Sequence, residues 1–222
     1  MAVTPELARL AKILVDREGI LYPEAEARLQ ALTLEIIVGP EARSATAQTA
    51  ILTAVNLARR SFVGGVRLVG GEGGPLNTPL PLPGATLAAA AAGLGARDFV
   101  GPALQRLSIG AAKTDDPETI GLWWNGWRAG AGVGAQGPWL GDNPLAGIAA
   151  AALGVGQAFL KASGRACAAP LEIELWGEGP APPFETVFLP GALWLVGLGN
   201  LGQAYLWTLA ALPYADPGQV AL

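Results

Sequence analysis

The 222-residue sequence contains no histidine and one cysteine. Without histidine, no Ser-His-Asp or Cys-His catalytic arrangement can be built from this chain, and a His-ligated zinc site is excluded with them. The lone Cys167 cannot form an internal disulfide or a structural zinc site. It fits a reducing, cytoplasmic compartment. Charge is scarce as well: 14% of residues are Asp, Glu, Lys or Arg, and the formal net charge is −4. The arginines are scattered, so the basic footprint of a phosphate-backbone binder is missing and nucleic acid is not an expected partner. The N-terminus lacks the basic region and apolar run of a signal peptide.

Small and apolar residues are plentiful. The chain is 51% hydrophobic with 31 glycines, enough for one large α/β domain or two small ones. Two stretches invite a membrane reading. Residues 186–215 carry no charge, but they contain Pro190, Asn200 and Gln203. Residues 143–159 are Ala- and Gly-rich and shorter than the roughly 20 residues a span needs. Both read as strand or helix of a packed domain, so no span is expected.

Along the chain, Thr4–Leu32 predicts an N-terminal helical extension over residues 1–31, with Pro5 in a first turn and a second, exposed helix from Pro23. Leu32–Val38 reads as a strand ended by Gly39-Pro40, Ser44–Arg60 as a helix with Ala47, Ile51, Leu52, Val55 and Ala58 on one face, and Val66–Val69 as a second strand. Strand, helix and strand at this spacing make a βαβ unit with parallel pairing. Beyond it come a Gly/Pro-rich loop, a small helix at Thr86–Gly95, short strands at Phe99-Val100 and Leu107–Ile109, and a better strand at Thr119–Trp124. Asn125–Gly141 reads as irregular. Asn143-Pro144 opens a helix to about Lys161 that stops at Gly164, and Leu171–Trp176 alternates as a half-exposed strand. A connector, Gly177–Pro183, separates this 32–176 unit from a second one that starts near residue 185. The fold class is therefore α/β: a degenerate Rossmann-like unit, followed by the first strand, turn and helix of another Rossmann-type domain.

That second unit carries the densest chemistry. The apolar run Ala192–Val196 leads into Gly197-Leu-Gly-Asn-Leu-Gly202 and then an apolar helix. This is the order of a dinucleotide- or nucleotide-binding turn. Gly197 permits the tight turn, Gly199 lets backbone approach phosphate without a Cβ in the way, and Gly202 lets the helix pack closely on the strand. The helix N-terminus offers free N–H groups to an anion. Gly197, Gly199, Asn200 and Gly202 are thus the candidate cofactor-binding residues. A Gly-rich turn that only packs a helix on a sheet would look the same. The acidic ribose partner expected about 20 residues on is missing, because Asp216 comes too early, in a Pro-Gly turn. Gln219–Leu222 reads as the opening of the next strand. The 185–222 unit is therefore expected to be incomplete and this chain to be the leading part of a longer protein.

Leu193 through Tyr214 resembles the nucleotide-binding start of bacterial ThiF-family adenylyltransferases, relatives of ubiquitin-activating enzymes. Gly126-Trp-Arg-Ala129 and the Asn143-Pro-opened, Ala-rich helix ending near Phe159 are similar to elements that precede it in family members with an N-terminal extension. The resemblance implies an ATP-dependent enzyme that adenylates the C-terminal carboxylate of a ubiquitin-like or sulfur-carrier protein, with magnesium. It implies that Gly197, Gly199 and Gly202 line the ATP site. The family's ribose-binding acid, catalytic Arg and Lys, and metal-binding Asp come after this motif and have no counterpart here, so the chain as given is expected to be inactive. Two other readings stay open: part of an NAD(P)-dependent oxidoreductase using the same glycines, and a non-catalytic module that dimerises or docks a carrier. An unfinished sheet would also expose an edge, so self-association into a homo-oligomer is expected.

Several other residues invite functional readings. Cys167 reads as a packed free thiol rather than a thioester cysteine. Trp123, Trp124 and Trp127 read as strand-end core, and Asp115, Asp116 and Glu118 around Pro117 as a solvated turn rather than a metal site. Arg59 and Arg60 read as complements to a helix C-terminus.

Overall fold

The computed structural model describes residues 5–71, 74–165, 169–187, 195–197 and 199–213. Helices α1 (Pro5–Glu18) and α2 (Tyr22–Gln30) lead the chain. Although α2 is largely exposed, its Ala25 and Leu29 are buried, as is Ala11 of α1. These residues belong to the same hydrophobic core as the strands that follow.

Strand β1 (Thr33–Val38) alternates half-buried and buried residues, so Leu34, Ile36 and Val38 face the core. Helix α3 (Ala45–Ala58) is capped at Ser44, whose Oγ accepts from Ala47 N–H, the device that makes serine a preferred N-cap. Strand β2 (Gly65–Val69) pairs parallel to β1 with Glu35 opposite Arg67, as the βαβ spacing predicts. Helix α4 (Leu87–Gly93), capped by Thr86, packs against α3. Phe99 belongs to no strand. Its ring lies 4.3 Å from the Arg67 guanidinium and covers Gly65, so an apolar dipeptide read as a strand is a side-chain lid on the edge of β2.

Strand β3 (Gln105–Ile109) returns to the other side of β1, and β4 (Ile120–Asn125) follows beside β3, both parallel. Next comes the clearest departure from the sequence reading. Asn125–Gly141, expected to be irregular, contains β5 (Arg128–Val133), antiparallel to β4, and the short β6 (Trp139-Leu140), which pairs with the end of β4 where β3 has stopped. The glycines that hid β5 are there for room. A Cβ at Gly130 would strike the Trp123 ring, and one at Gly132 would meet Pro170 at 2.8 Å. Strand β7 (Leu171–Glu174) closes the sheet as an antiparallel neighbour of β5. It is exposed throughout rather than half-exposed. The order is β2-β1-β3-β4-β5-β7, with β6 beside β4. Five parallel strands, counting the short β6, with an antiparallel extension and flanking helices make this a Rossmann-like α/β fold.

Helix α5 (Pro144–Ala162) lies over β3, β4 and β5 and against α3. Asn143 caps it, and Gly164 at φ +70° ends it. It is longer than residues 143–159 alone would give. With 19 residues and mean hydropathy 1.5 it is long and apolar enough to cross a bilayer by length and composition. Here it serves as a core helix: Ala146, Ala150, Ala151 and Ala158 are all fully buried. Gly147 marks its closest approach to α3, where a Cβ would stand 2.6 Å from the Thr46 carbonyl oxygen. Helix α6 (Asn200–Leu209) completes the described elements. The strand expected at Ala192–Val196 lies outside the described residues up to Trp194, and Leu195 and Val196 are in no regular element. The turn at Asp216–Gly218, the strand at Gln219–Leu222 and Cys167 also lie outside the described residues.

Two glycines of α5 separate close packing from chain flexibility. Gly147→Ala must push α5 off α3 and is expected to cost about 1–3 kcal/mol. Gly156→Ala points into open space and is expected to stabilise by about 0.5–1 kcal/mol through helix propensity. Urea unfolding of both variants measures the difference, and equal effects would refute the packing role.

Candidate functional site

The glycine turn opens α6. Gly197 has φ +89°, in the left-handed region that favours glycine, and a Cβ there would point into open space. Gly199 is extended (φ −65°, ψ −172°) and is the N-cap residue of α6, with no side-chain hydrogen bond capping the helix and no acidic residue in its first turn. The first backward bond of the helix is Gln203 N–H to Gly199 O, at 2.9 Å. The N–H groups of Asn200, Leu201 and Gly202 therefore lack intrahelical acceptors, as at every helix start. Asn200 and Leu201 are exposed and nothing lies within 4 Å of a Cβ placed on Gly199. Gly202 is buried. The four candidate residues thus lie on one turn, and among the described residues nothing covers Gly199, Asn200 or Leu201. An oxyanion is the ligand such a turn can accept.

Anchors that sequence reasoning missed hold this turn in place. Trp207 Nε1 donates to Thr53 Oγ1 of α3 at 2.9 Å, Arg60 Nη2 donates to Gln203 Oε1 at 2.8 Å, and Ala211 is buried in the main core. Arg60 therefore reaches a side chain on α6 in addition to lying past the end of α3. No local signal joins Thr53 to Trp207, 154 positions apart. The connector is anchored too. Trp127 Nε1 donates to Pro182 O, and its ring packs on Trp176 and Phe184 at centroid distances of 5.1 and 6.1 Å. Trp124 is core as expected, but Trp127 faces the connector and Trp123 lies over Gly130 on the other sheet face.

A second concavity, of about 810 Å³, lies beyond the carboxyl end of β3, between the loops 110–119 and 134–139. Lys113, Asp115 and Gln136 line it. Its acidic turn is tied down. Asp116 accepts from Glu118 N–H and from Arg106, and Glu118 pairs with Lys161 at 2.8 Å. Arg106 also reaches Glu35, which pairs with Arg67, so one chain of charges crosses β3, β1 and β2. The Glu118 N–H first, and then the Arg106 guanidinium, hold the Asp116 carboxyl below the ordinary carboxylate range. Asp116 in turn raises Arg106.

A carboxyl with a lowered folded-state pKa stabilises above its unfolded value, near about 3.9, and that stabilisation fades as pH falls through the folded value. Asp116→Asn is expected to cost about 1 kcal/mol at neutral pH and progressively less below pH ~4. Urea midpoints of wild type and variant at pH 7 and pH 3 test this; a gap that does not shrink in acid would contradict it.

Known proteins supply the remaining context. Residues 33–175 match the family of BilD N-terminal domains, and residues 189–222, which include the glycine turn, match the family of BilD C-terminal domains. Over 235 aligned residues the chain is 35% identical to the bacterial E1-like protein BilD of Collimonas sp. (strain OK412), covering 97% of this chain and 50% of that protein. The chain therefore spans about half the length of the curated relative it matches.

Proposed function

The chain belongs to the BilD family, and from that premise we propose that it is the N-terminal part of an ATP-dependent adenylyltransferase. The substrate is the C-terminal carboxylate of a ubiquitin-like or sulfur-carrier protein. In such a reaction a carboxylate oxygen attacks the α-phosphorus of ATP, an acyl–adenylate bond forms, and pyrophosphate leaves. The relative's designation as E1-like supports the substrate class. The observation that carries the reading for this chain is the uncapped start of α6 at Gly199, preceded by Gly197 at positive φ.

The division of labour follows from the residues. Gly197, Gly199, Asn200 and Gly202 hold ATP phosphate oxygens through backbone N–H groups. The 33–175 unit is non-catalytic and serves as the platform on which α6 rests, through Thr53 and Arg60. After Gly202 the sequence contains no Lys or Arg, and Asp216 is its one charged residue; the cation near the turn among the described residues is Arg60, held on Gln203. Magnesium, which adenylation uses, has no ligand set at this turn, and no step is assigned to it.

Weak ATP binding without catalysis is the expected behaviour of the 222-residue chain. ATP is expected to shift the amide NMR signals of Gly199, Asn200 and Gly202 with millimolar affinity, and Gly199→Val to abolish the response by placing a branched side chain over the donors. ATP–pyrophosphate exchange is expected to be undetectable. Rapid exchange by this chain, or turn amides that ignore ATP while the fold is intact, would overturn the reading.

A further inference from the structure

The hairpin that joins β4 to β5 carries the Gly126-Trp-Arg-Ala129 segment, and its residue types follow from where they stand. Asn125 and Arg128 are cross-strand partners, so Gly126 and Trp127 make a two-residue turn. Gly126 has φ +59°, and glycine with positive φ at the first position is what such a tight hairpin uses. Arg128 pairs with Glu172 of β7, and the fully buried Ala129 stands in register with Trp124 and Ile173. The tip is held from both sides. Gly126 N–H donates to Leu140 O at 2.9 Å, and Leu175 N–H donates to Trp127 O at 3.0 Å. A hairpin tip is ordinarily solvated, yet Trp127 is 9% exposed. The rings packed on it are Trp176 and Phe184, both from the chain that follows β7.

Three prolines in close succession, Pro180, Pro182 and Pro183, shape that chain. Each fixes its own φ near about −65°, and Pro183 stands at φ −56°, ψ 138°, close to polyproline II. Such a backbone makes no internal hydrogen bonds, so its carbonyls are free to accept from outside. Pro182 O accepts from the Trp127 indole N–H at 2.8 Å, the partner a buried indole needs. The turn at Phe184–Thr186, tied by Thr186 Oγ1 donating to Pro183 O at 2.8 Å, brings the Phe184 ring back to the indole. Aromatic-lined grooves bind extended proline-rich segments in this way because the ligand is already ordered. Gly177 and Gly179, at φ +82° and +92° with open space around them, lead into the segment. It lies between the two regions matched to family domains, 33–175 and 189–222.

We infer that the β4–β5 hairpin and this strap form a releasable latch: the first unit carries a groove for an extended proline-containing segment, the chain's own connector fills it, and its docking sets how tightly α6 is tethered to α3. Release breaks the indole hydrogen bond and the ring contacts, and neither Pro182 nor Phe184 belongs to the main core. With the strap docked, the tether to the glycine turn runs over residues 184–197. With the strap released, it runs over residues 175–197. Closing the longer loop costs more entropy, which lowers the effective concentration of α6 at Thr53 and Arg60 about twofold. Trp127 thus acts on the glycine turn through the connector, as a positioning residue, whatever ligand that turn accepts.

The test compares wild type, Trp127→Phe and the double connector variant Pro182→Gly/Phe184→Ser in the 222-residue chain. Indole signals in NMR spectra are the reporters, and a synthetic peptide of residues 177–187 is the probe. In the connector variant the peptide is expected to shift the Trp127 and Trp176 indole signals saturably, with millimolar affinity. In wild type the tethered strap competes, so the same peptide is expected to bind at least tenfold more weakly. Adding Trp127→Phe to the connector variant is expected to abolish the Trp176 response. Hydrogen exchange of the Trp207 indole N–H reports the opening of α6 from Thr53. It is expected to quicken about twofold in Trp127→Phe and in the connector variant, with β4 amides exchanging as in wild type. A connector variant whose indoles ignore the peptide, Trp207 exchange that stays at the wild-type rate, or exchange that quickens equally at β4 would each overturn the latch. Should Trp127→Phe fail to fold, the connector variant decides, because its substitutions lie on the strap. None of these readouts uses ATP, so their failure is distinguishable from failure of the adenylation reading.

Discussion

Helix α3 is buried on nearly its whole circumference, and the rest of the chain is arranged to satisfy it. Eleven of its residues are buried, among them Thr46, Gln48, Thr49 and Thr53. Leaving a buried polar group unpaired costs about 1–3 kcal/mol, so each of these side chains needs a partner from elsewhere. Gln48 donates to Pro75 O and accepts from Asn77 N–H, Thr49 shares a hydrogen bond with Thr78, and Thr53 accepts from Trp207. The Gly/Pro-rich loop after β2 and the helix α6 are drawn onto the same helix by the same requirement.

This crowding explains how glycine is used. Gly147 lets α5 approach α3, and a Cβ at Gly154 would stand 2.7 Å from Leu122. Gly130 and Gly132 perform the same service on the other sheet face. These glycines admit neighbours, whereas Gly197 supplies a backbone conformation. On that second face, charge takes the place of apolar packing: Glu35 links Arg67 and Arg106 across three strands, with Asp116 at the end. The pairs are partly exposed, so their energetic return is modest, but they link residues that stand side by side on three neighbouring strands.

For function, the consequence is a contrast between two turns on one scaffold. In the turn after β1, the Glu41 carboxylate accepts from Ala111 N–H in the loop after β3. The other presents backbone donors and depends on α3 for its placement. The proposed adenylyltransferase reading gives them different roles, the first as support and the second as phosphate cradle. The chain belongs to the BilD family and spans about half the length of an E1-like relative.

Local signals were legible in the amino-acid order. The helix starts at Ser44, Thr86 and Asn143, the stop at Gly164 and the βαβ spacing each depend on residues within a few positions of one another, so each could be read directly; the alternation of Leu171–Glu174 marked a strand but not its burial, since all four residues are exposed. Strand β5 was not legible, because Gly130 and Gly132 lower strand propensity and their reason, Trp123 and Pro170, appears only when the hairpin folds. The glycine turn was legible as a motif, but its anchoring by Trp207 and Arg60 was not. The sequence by itself determined that this is an α/β chain without histidine chemistry and with a glycine-rich turn ahead of its last described helix. Tertiary structure alone decided what each turn meets. The Glu41 carboxylate meets Ala111 N–H across 70 residues, a contact that exists only once β1 and β3 lie side by side.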